Sequence, residues 1–143
     1  MIIGGSEHQS GNNKRGGGIT FLGKGKDSVV QHALFKNGMI AIRCYDESSP
    51  EISHSRIEGY EIGGIGIWDG AFPRIHDNVL IENRYGIGVS DFSKAEISSN
   101  RVKNNKAAGI FVEGGAKPIL NMNVVEGNNV GTVSYTHLTL PTN

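Results

Sequence analysis

The sequence predicts an all-β protein: a right-handed single-stranded parallel β-helix (solenoid) of about five to six rungs of 22–23 residues. Two observations favour this fold. The chain is rich in turn-forming Gly and Asn, and short units of β-branched residues recur at a nearly constant spacing. A single short rung cannot bury its apolar side, whereas stacked rungs can, so the repeat itself predicts a coil.

The first strand of each rung follows a regular step along the sequence. An apolar residue recurs at steps of 23, 22 and 23 residues in Pro50-Glu51-Ile52, Pro73-Arg74-Ile75, Ala95-Glu96-Ile97 and Pro118-Ile119-Leu120. A further step of 23 residues back from Ile52 reaches Val29. We expect these residues to form an inward column in which each buried side chain contributes roughly 1.5–3 kcal/mol.

Two more columns follow from the same register. Three residues after each inward position lies a polar column, which is predicted to contain His32, Ser55, Asn78, Asn100 and Asn123. Two residues further on lies a second apolar column, with Leu34, Ile57, Leu80, Val102 and Val125. We expect Asn78, Asn100 and Asn123 to form an amide ladder at one corner, and Asn83, Asn105 and Asn128 to form another.

A second strand follows a Gly- and Asn-rich corner in each rung. Its apolar residues alternate in Ile40–Ile42, Ile65–Ile67, Ile87–Val89 and Ile110–Val112, as in a half-buried strand. Ile19–Phe21 fits the register as an earlier partial rung. The step of 25 residues from Ile40 to Ile65 predicts a bulge or longer corner near Glu61-Ile62-Gly63.

The repeat divides the chain into three parts. We interpret residues 1–15 as a polar N-terminal segment, residues 16–131 as the β-helix repeats, and residues 132–143 as a non-repeat tail. The stretch Val133–Pro141 resembles translated adapter sequence, so we interpret the tail as non-native. Because neither end offers a helix that would cap an open β edge, we expect the chain to be a fragment of a longer solenoid.

Composition limits the classes of partner. Lys+Arg and Asp+Glu each total 14, which argues against nucleic acid as a partner. No apolar run approaches the roughly 20 residues of a membrane-spanning helix, which argues against a membrane partner. The single Cys44 and a start without signal-peptide features favour an intracellular location.

The repeat unit resembles that of a known family. Pro73–Asn83 followed by Gly86–Val89 is similar to the P-x-I-x-x-N-x-I-x-x-N…G-I-x-V unit of right-handed β-helix repeat proteins, and the resemblance covers about residues 27–131. That family includes pectate-lyase-like sugar enzymes, periplasmic copper-delivery accessory proteins and the substrate-recognition region of an F-box ubiquitin-ligase subunit. The short turns of this chain are most similar to those of the F-box protein, but a fold does not fix a function.

Outward positions of the second strand are predicted to form the flattest surface. One column contains Ala41, Gly66, Gly88 and Phe111, and the next contains Arg43, Trp68, Ser90 and Glu113. Trp68 and Phe111 beside small residues predict a shallow aromatic shelf that would stack on a sugar ring or hold an extended peptide. The alternative is that Trp68 only packs on Phe111 or on a side loop.

Two carboxylates are also predicted to lie close together. Asp69 and Asp91 occupy equivalent positions on successive rungs, where the neighbouring rungs offer Cys44 and Gly114. Such a pair, about 5 Å apart, would bind Ca²⁺ or act as acid and base in glycoside hydrolysis. We favour a structural role, since Asp often ends a strand at a turn and a calcium site needs more oxygen ligands.

No catalytic, metal or cofactor site is predicted from the remaining reactive residues. His32, His54 and His76 fall in three different columns, whereas zinc needs converging ligands. Cys44 has no matched His or acidic partner. Glu51, Arg74 and Glu96 are expected to stack as a solvated column of alternating charge.

Two functions are compatible with this pattern. The first is a non-enzymatic scaffold, the substrate-recognition part of a larger protein, that binds a protein or peptide partner through Arg43, Trp68, Asp69, Asp91, Phe111 and Glu113. The alternative is a polysaccharide lyase- or hydrolase-like enzyme, or a sugar-binding domain. We favour the scaffold because the sequence offers no catalytic constellation and its turns are short and regular. The N-T-D, G-H-G and R-I-K strings of polygalacturonases and the D-P-H-E string of alginate epimerases also do not occur in this sequence.

Overall fold

A computed structural model describes residues 2–4, 18–24 and 28–134, and within these residues all regular structure is β-strand. None of the described residues belongs to a helix long and apolar enough to cross a membrane. The strands are β1 Ile2–Gly4, β2 Ile19–Phe21, β3 Val29–Gln31, β4 Leu34–Cys44, β5 Glu51–Ser53, β6 Arg56–Ile67, β7 Arg74–His76, β8 Val79–Ile81, β9 Tyr85–Val89, β10 Glu96–Ser98, β11 Arg101–Lys103, β12 Ala108–Val112, β13 Ile119–Asn121, β14 Val124–Glu126 and β15 Val130–Ser134.

All strand pairs are parallel, and they form three faces around one core. The first face is the five-stranded sheet β3-β5-β7-β10-β13. The second face contains β1, the starts of β4 and β6, β8, β11 and β14. The third face contains β2, the ends of β4 and β6, β9, β12 and β15. The five strands of the first face therefore define about five turns, which confirms the predicted parallel β-solenoid.

The core consists of inward columns that stack in register. On the first face, Ile52 pairs with Ile75 and Ile75 with Ile97, and all three side chains are fully buried. Equivalent buried columns are Ile57, Leu80 and Val102 on the second face, and Ile65, Ile87 and Ile110 on the third. Burial of like side chains on successive rungs makes the core continuous along the coil axis.

The predicted first rung is wrong by one residue. Val29 pairs with Glu51 and is 53% exposed, whereas Val30 pairs with Ile52 and is buried. The positions predicted for His32 and Leu34 are consequently occupied by their successors in the chain, Ala33 and Phe35. A slip of one residue exchanges the inward and outward sides of a strand, so the burial of Val30 decides the register.

The predicted alignment of the third face before Ile65 is wrong by two residues. Ile42, rather than Ile40, pairs with Ile65. Ile19 pairs with Ile42, so the earlier partial rung is present but in a different register. The irregularity itself is confirmed near the predicted place, because the β4–β6 register shifts beside the exposed pair Glu61–Ile62.

The two ends of the repeat region are only partly described. Strand β1 lies within the predicted N-terminal segment and pairs with β4. Strand β15 continues past residue 131 to Ser134, inside the predicted tail. Residues 5–15 of the first segment and residues 135–143 of the tail lie outside the described residues.

The predicted Asn ladder occupies the corner between the first and second faces. Asn100 Nδ2 donates to the Ile75 carbonyl oxygen and to Asn123 Oδ1, both at 3.0 Å. Asn100 Oδ1 accepts from the backbone N–H of Asn78 at 2.9 Å and from Asn78 Nδ2 at 3.0 Å. Ser55 N–H donates to Asn78 Oδ1 in the same way, so each side chain satisfies polar groups on the neighbouring rungs.

A second ladder lies at the corner between the second and third faces. In this ladder a backbone N–H donates to the Oδ1 of the Asn on the next rung. The N–H of Tyr60 donates to Asn83 at 3.0 Å, that of Asn83 to Asn105 at 3.0 Å, and that of Asn105 to Asn128 at 2.8 Å. The Nδ2 groups donate to backbone carbonyls of the preceding rung. Both ladders therefore satisfy corner backbone groups that strand pairing leaves unpaired.

A charged substitution at the centre of the first-face column tests whether that column is buried. Ile75→Asp should lower the free energy of unfolding by more than about 4 kcal/mol, because it places an unpaired carboxylate in the fully buried stack. Glu96→Ala is the control, since the exposed Glu96 lies one rung away on the outward side, and should change stability by less than about 0.5 kcal/mol. Urea denaturation measures both, and equal effects would contradict the column assignment.

The Asn ladder is tested at its middle member. Asn100→Ala should destabilise the protein by at least about 2 kcal/mol, because the two donors of Asn78 lose their shared acceptor in a buried corner. Asn121→Ala, at an exposed position in β13 on the next rung, is the matched control and should be nearly neutral. If Asn100→Ala and the wild type have the same melting temperature, the ladder does not contribute to stability.

Candidate partner-binding face

The outward side of the third face brings residues from successive turns into two neighbouring columns. The first column contains Thr20, Arg43, Gly66, Gly88, Phe111 and Val133. The second, at the residue after each strand, contains Tyr45, Trp68, Ser90 and Glu113. The prediction was wrong in the earliest rung: Ala41 is buried, Arg43 lies beside Gly66, and Tyr45 takes the place predicted for Arg43.

Trp68 is held between a second ring and the sheet. Its ring stacks on that of Tyr45, with centroids 5.0 Å apart and an interplanar angle of 16°. A Cβ added at Gly66 would collide with the six-membered ring of Trp68, so that ring lies directly against the β6 backbone. Sequence reasoning missed Tyr45 because the two-residue error removed it from this column.

Phe111 is held in a similar way one turn from Gly88. A Cβ added at Gly88 would lie 2.6 Å from Phe111 Cε1, so glycine is required where this ring covers the sheet. Phe111 also contacts Tyr85, with centroids 4.8 Å apart and an angle of 51°. Trp68 and Phe111 therefore belong to two separate aromatic pairs, Tyr45–Trp68 and Tyr85–Phe111.

A cavity of about 510 Å³ opens beside the second aromatic pair. It is lined by Tyr85, Ala107, Ala108, Phe111, Glu113, Val130 and Val133, and we call it the Phe111 cavity. Ser90 Oγ donates to Glu113 Oε2 at 3.3 Å, which holds that carboxylate at the cavity. Arg43 donates from Nη1 to the Ile40 carbonyl oxygen at 3.5 Å, a long hydrogen bond on the same face.

The Asp column occupies the turn that leaves the third face. Asp46, Asp69 and Asp91 all have positive φ, at 54°, 59° and 52°. The prediction that Cys44 shares this column is wrong, because Cys44 pairs with Ile67 and Asp46 is the residue equivalent to Asp69. Asp tolerates this left-handed conformation better than most residues, so the turn accounts for the column.

The exposure of Asp69 and Asp91 and the pKa of Cys44 bear on whether these residues could bind a metal ion or act as a nucleophile. The side chains of Asp69 and Asp91 are exposed, and within the described residues no group of three or more His, Cys, Asp or Glu is arranged to hold a metal ion. Burial raises the pKa of the Cys44 thiol to about 12. The thiol is therefore protonated at neutral pH and unsuited to nucleophilic attack.

The His residues lie closer together than predicted. His32 and His54 share one column, with φ of 55° and 50°, and their rings stack at 5.4 Å. The ring of His76 meets that of His54 edge-on at 5.9 Å, although His76 lies one position earlier in its rung. The prediction of three different columns is wrong because the first rung was displaced by one residue.

His76 is bonded at both ring nitrogens. Its Nδ1 lies 2.7 Å from Asp77 Oδ2, and its Nε2 lies 2.7 Å from Glu51 Oε2. The hydrogen bonds to Asp77 and then Glu51 raise the pKa of His76. The His76 hydrogen bond, aided by Arg74 at 3.1 Å, lowers the pKa of Glu51. Because its Nε2 bonds to Glu51 of the preceding rung, this His links neighbouring rungs.

These shifts predict a pH window for stability. The raised pKa of His76 stabilises the fold fully below its ordinary value of 6.5, and this is lost as pH rises through the folded-state pKa. The lowered pKa of Glu51 stabilises the fold above its ordinary value of 4.5, and this is lost as pH falls through the folded-state pKa. His76→Gln should therefore destabilise most between pH 4.5 and 6.5.

Thermal melts of His76→Gln and wild type across pH 3–9 measure this window, with Glu96→Ala as a control for an exposed carboxylate of the Glu51 column. A Tm difference for His76→Gln that is independent of pH would contradict the assignment of these hydrogen bonds.

Comparison with known proteins gives the family. The family model described as the right handed beta helix region matches residues 6–140. No curated protein and no solved structure matches the chain. The match covers most of the sequence and agrees with the stacked parallel strands of the three faces. The chain therefore belongs to the right-handed β-helix family.

Proposed function

We propose that this β-helix is a non-enzymatic scaffold whose third face binds a protein or peptide partner, as the substrate-recognition part of a larger protein. The observation that carries the proposal is the arrangement of two aromatic pairs, Tyr45–Trp68 and Tyr85–Phe111, on one side of a rigid sheet. Aromatic side chains have few rotatable bonds and large contact area, so rings already fixed in place bind a partner at little cost in entropy.

The shape of the third face supports this proposal. Each described turn after the face closes within four residues, as shown by the backbone hydrogen bond from Ala71 N–H to the Trp68 carbonyl and the equivalent one from Ser93 to Ser90. Such short turns leave the neighbouring aromatic pairs open to a partner as large as a polypeptide. Half-buried Arg43 and Glu113 add one charge of each sign to the same face.

An enzymatic role has less support from the reactive residues. Asp69 and Asp91 occupy exposed turn positions, Cys44 is buried and protonated, and His76 has both nitrogens engaged. None of these residues lines the Phe111 cavity. The resemblance to the substrate-recognition region of an F-box protein also favours the scaffold, and it favours a polypeptide over a sugar as the partner.

The proposal is tested by selecting displayed random decapeptides on the intact chain, in parallel with an array of plant and microbial oligosaccharides. We expect peptides to be enriched and to bind about tenfold more weakly to Trp68→Ala and to Phe111→Ala. Phe72→Ala is the matched control, because Phe72 is an exposed aromatic residue outside the third face. Circular dichroism melts establish that each variant is folded.

Three outcomes would contradict the proposal. Binding of oligosaccharides without peptides would favour the sugar-binding alternative. Peptide binding that Phe72→Ala weakens as much as Trp68→Ala and Phe111→Ala would place the contact elsewhere on the coil. Binding of neither class would show that the third face is not a recognition surface for either.

A further inference from the structure

We infer that the Phe111 cavity accepts a lysine or arginine side chain of the bound peptide, an inference that rests on the proposed function and names the chemistry of its partner. The cavity volume of about 510 Å³ lies within the usual range of ligand sites, about 300–1,000 Å³. It is therefore large enough for one long side chain together with part of the adjoining peptide.

The walls of the cavity suit an extended apolar stem. The rings of Tyr85 and Phe111 are in contact at an interplanar angle of 51°, so together they form an angled corner. Ala107, Ala108 and Val130 supply aliphatic lining, and Val130 is 44% exposed. The methylene groups of Lys and Arg pack on surfaces of this kind while their charged ends reach a polar group.

Glu113 supplies the one ionised group among the lining residues. Three Glu side chains are half-buried in the described part of the chain: Glu51, Glu58 and Glu113. Glu51 pairs with Arg74 and His76, and Glu58 pairs with Lys36 and Arg56. The half-buried side chain of Glu113 has only the hydroxyl of Ser90 as a partner among the described residues, so it has no cationic partner there.

The combination of a carboxylate and aromatic rings is selective for cations. A guanidinium or ammonium group gains a charge-assisted hydrogen bond from a carboxylate and an electrostatic attraction from an aromatic face. The guanidinium carbon of Arg84 already lies 5.8 Å from the Tyr85 ring centroid, outside the set of lining residues. No Lys or Arg is among the residues that line the cavity, so the partner would supply the cation there.

The inference is tested with single-residue probes and two-dimensional NMR of the intact protein. N-acetyl-lysine methylamide and N-acetyl-arginine methylamide are compared with their neutral analogues, N-acetyl-norleucine methylamide and N-acetyl-citrulline methylamide. We expect the cationic probes to shift the backbone amides of Ala108, Phe111 and Val130 saturably, with affinities roughly fivefold higher than the neutral analogues.

The charge of Glu113 is tested directly by substitution. Glu113→Gln keeps the shape of the side chain and should abolish the preference for cationic probes. Glu96→Gln is the matched control, because Glu96 lies exposed on the first face, and should leave the preference unchanged.

The outcomes separate this inference from the proposed function. Equal affinities for charged and neutral probes, no saturable shift with any probe, or an unchanged preference in Glu113→Gln would each overturn the cation-binding cavity. If displayed peptides still require Trp68 and Phe111 in those cases, the proposed function stands. If no displayed peptide binds but lysine still shifts these amides, the proposed function fails and the cavity remains selective for cations.

Discussion

In-register parallel pairing between successive rungs is the constraint on which the rest of this structure depends. A rung has only short strands and cannot form a core alone, so each one takes its hydrogen bonds and its apolar neighbours from the rungs on either side. The Asn corners strengthen this dependence. Asn100 bonds to Ile75 and Asn78 on one side and to Asn123 on the other, so one side chain ties together three turns.

The same register creates the candidate binding face from residues that are distant in sequence. Gly66 and Gly88 leave room for aromatic rings on the sheet, because Trp68 and Phe111 lie where a Cβ would be. The rings are consequently held by the sheet as well as by Tyr45 and Tyr85. A site built this way has little freedom to rearrange, which suits recognition of a partner by preformed contacts.

The register was predicted correctly for rungs that have a polar residue at the first corner, and it was predicted wrongly for the rung that lacks one. From Ile52 onwards, each rung has a Ser or Asn at the corner that fixes which apolar residue points inward. The first rung has Ala33 at this corner, and Val29 and Val30 are both apolar, so the repeat alone cannot choose between them. In β4, a slip of two residues preserves the alternation of inward and outward positions, so the pattern could not exclude it. That slip is why Tyr45 was missed.

The three faces differ in whether their charged side chains form ion pairs, and residue spacing could not predict this difference. On the first face, Glu51 is paired with Arg74 across rungs, and on the second, Lys103 is paired with Glu126. On the third face, the two half-buried charges bond to neutral groups instead, Arg43 to a carbonyl and Glu113 to a hydroxyl. Charges already paired within the coil have less to gain from a partner than charges without a counter-ion, which can still pair with a partner's charges. The aromatic pairs and the charges without counter-ions therefore lie on the same face, and their coincidence is the main physical argument for the proposal that this face binds a partner.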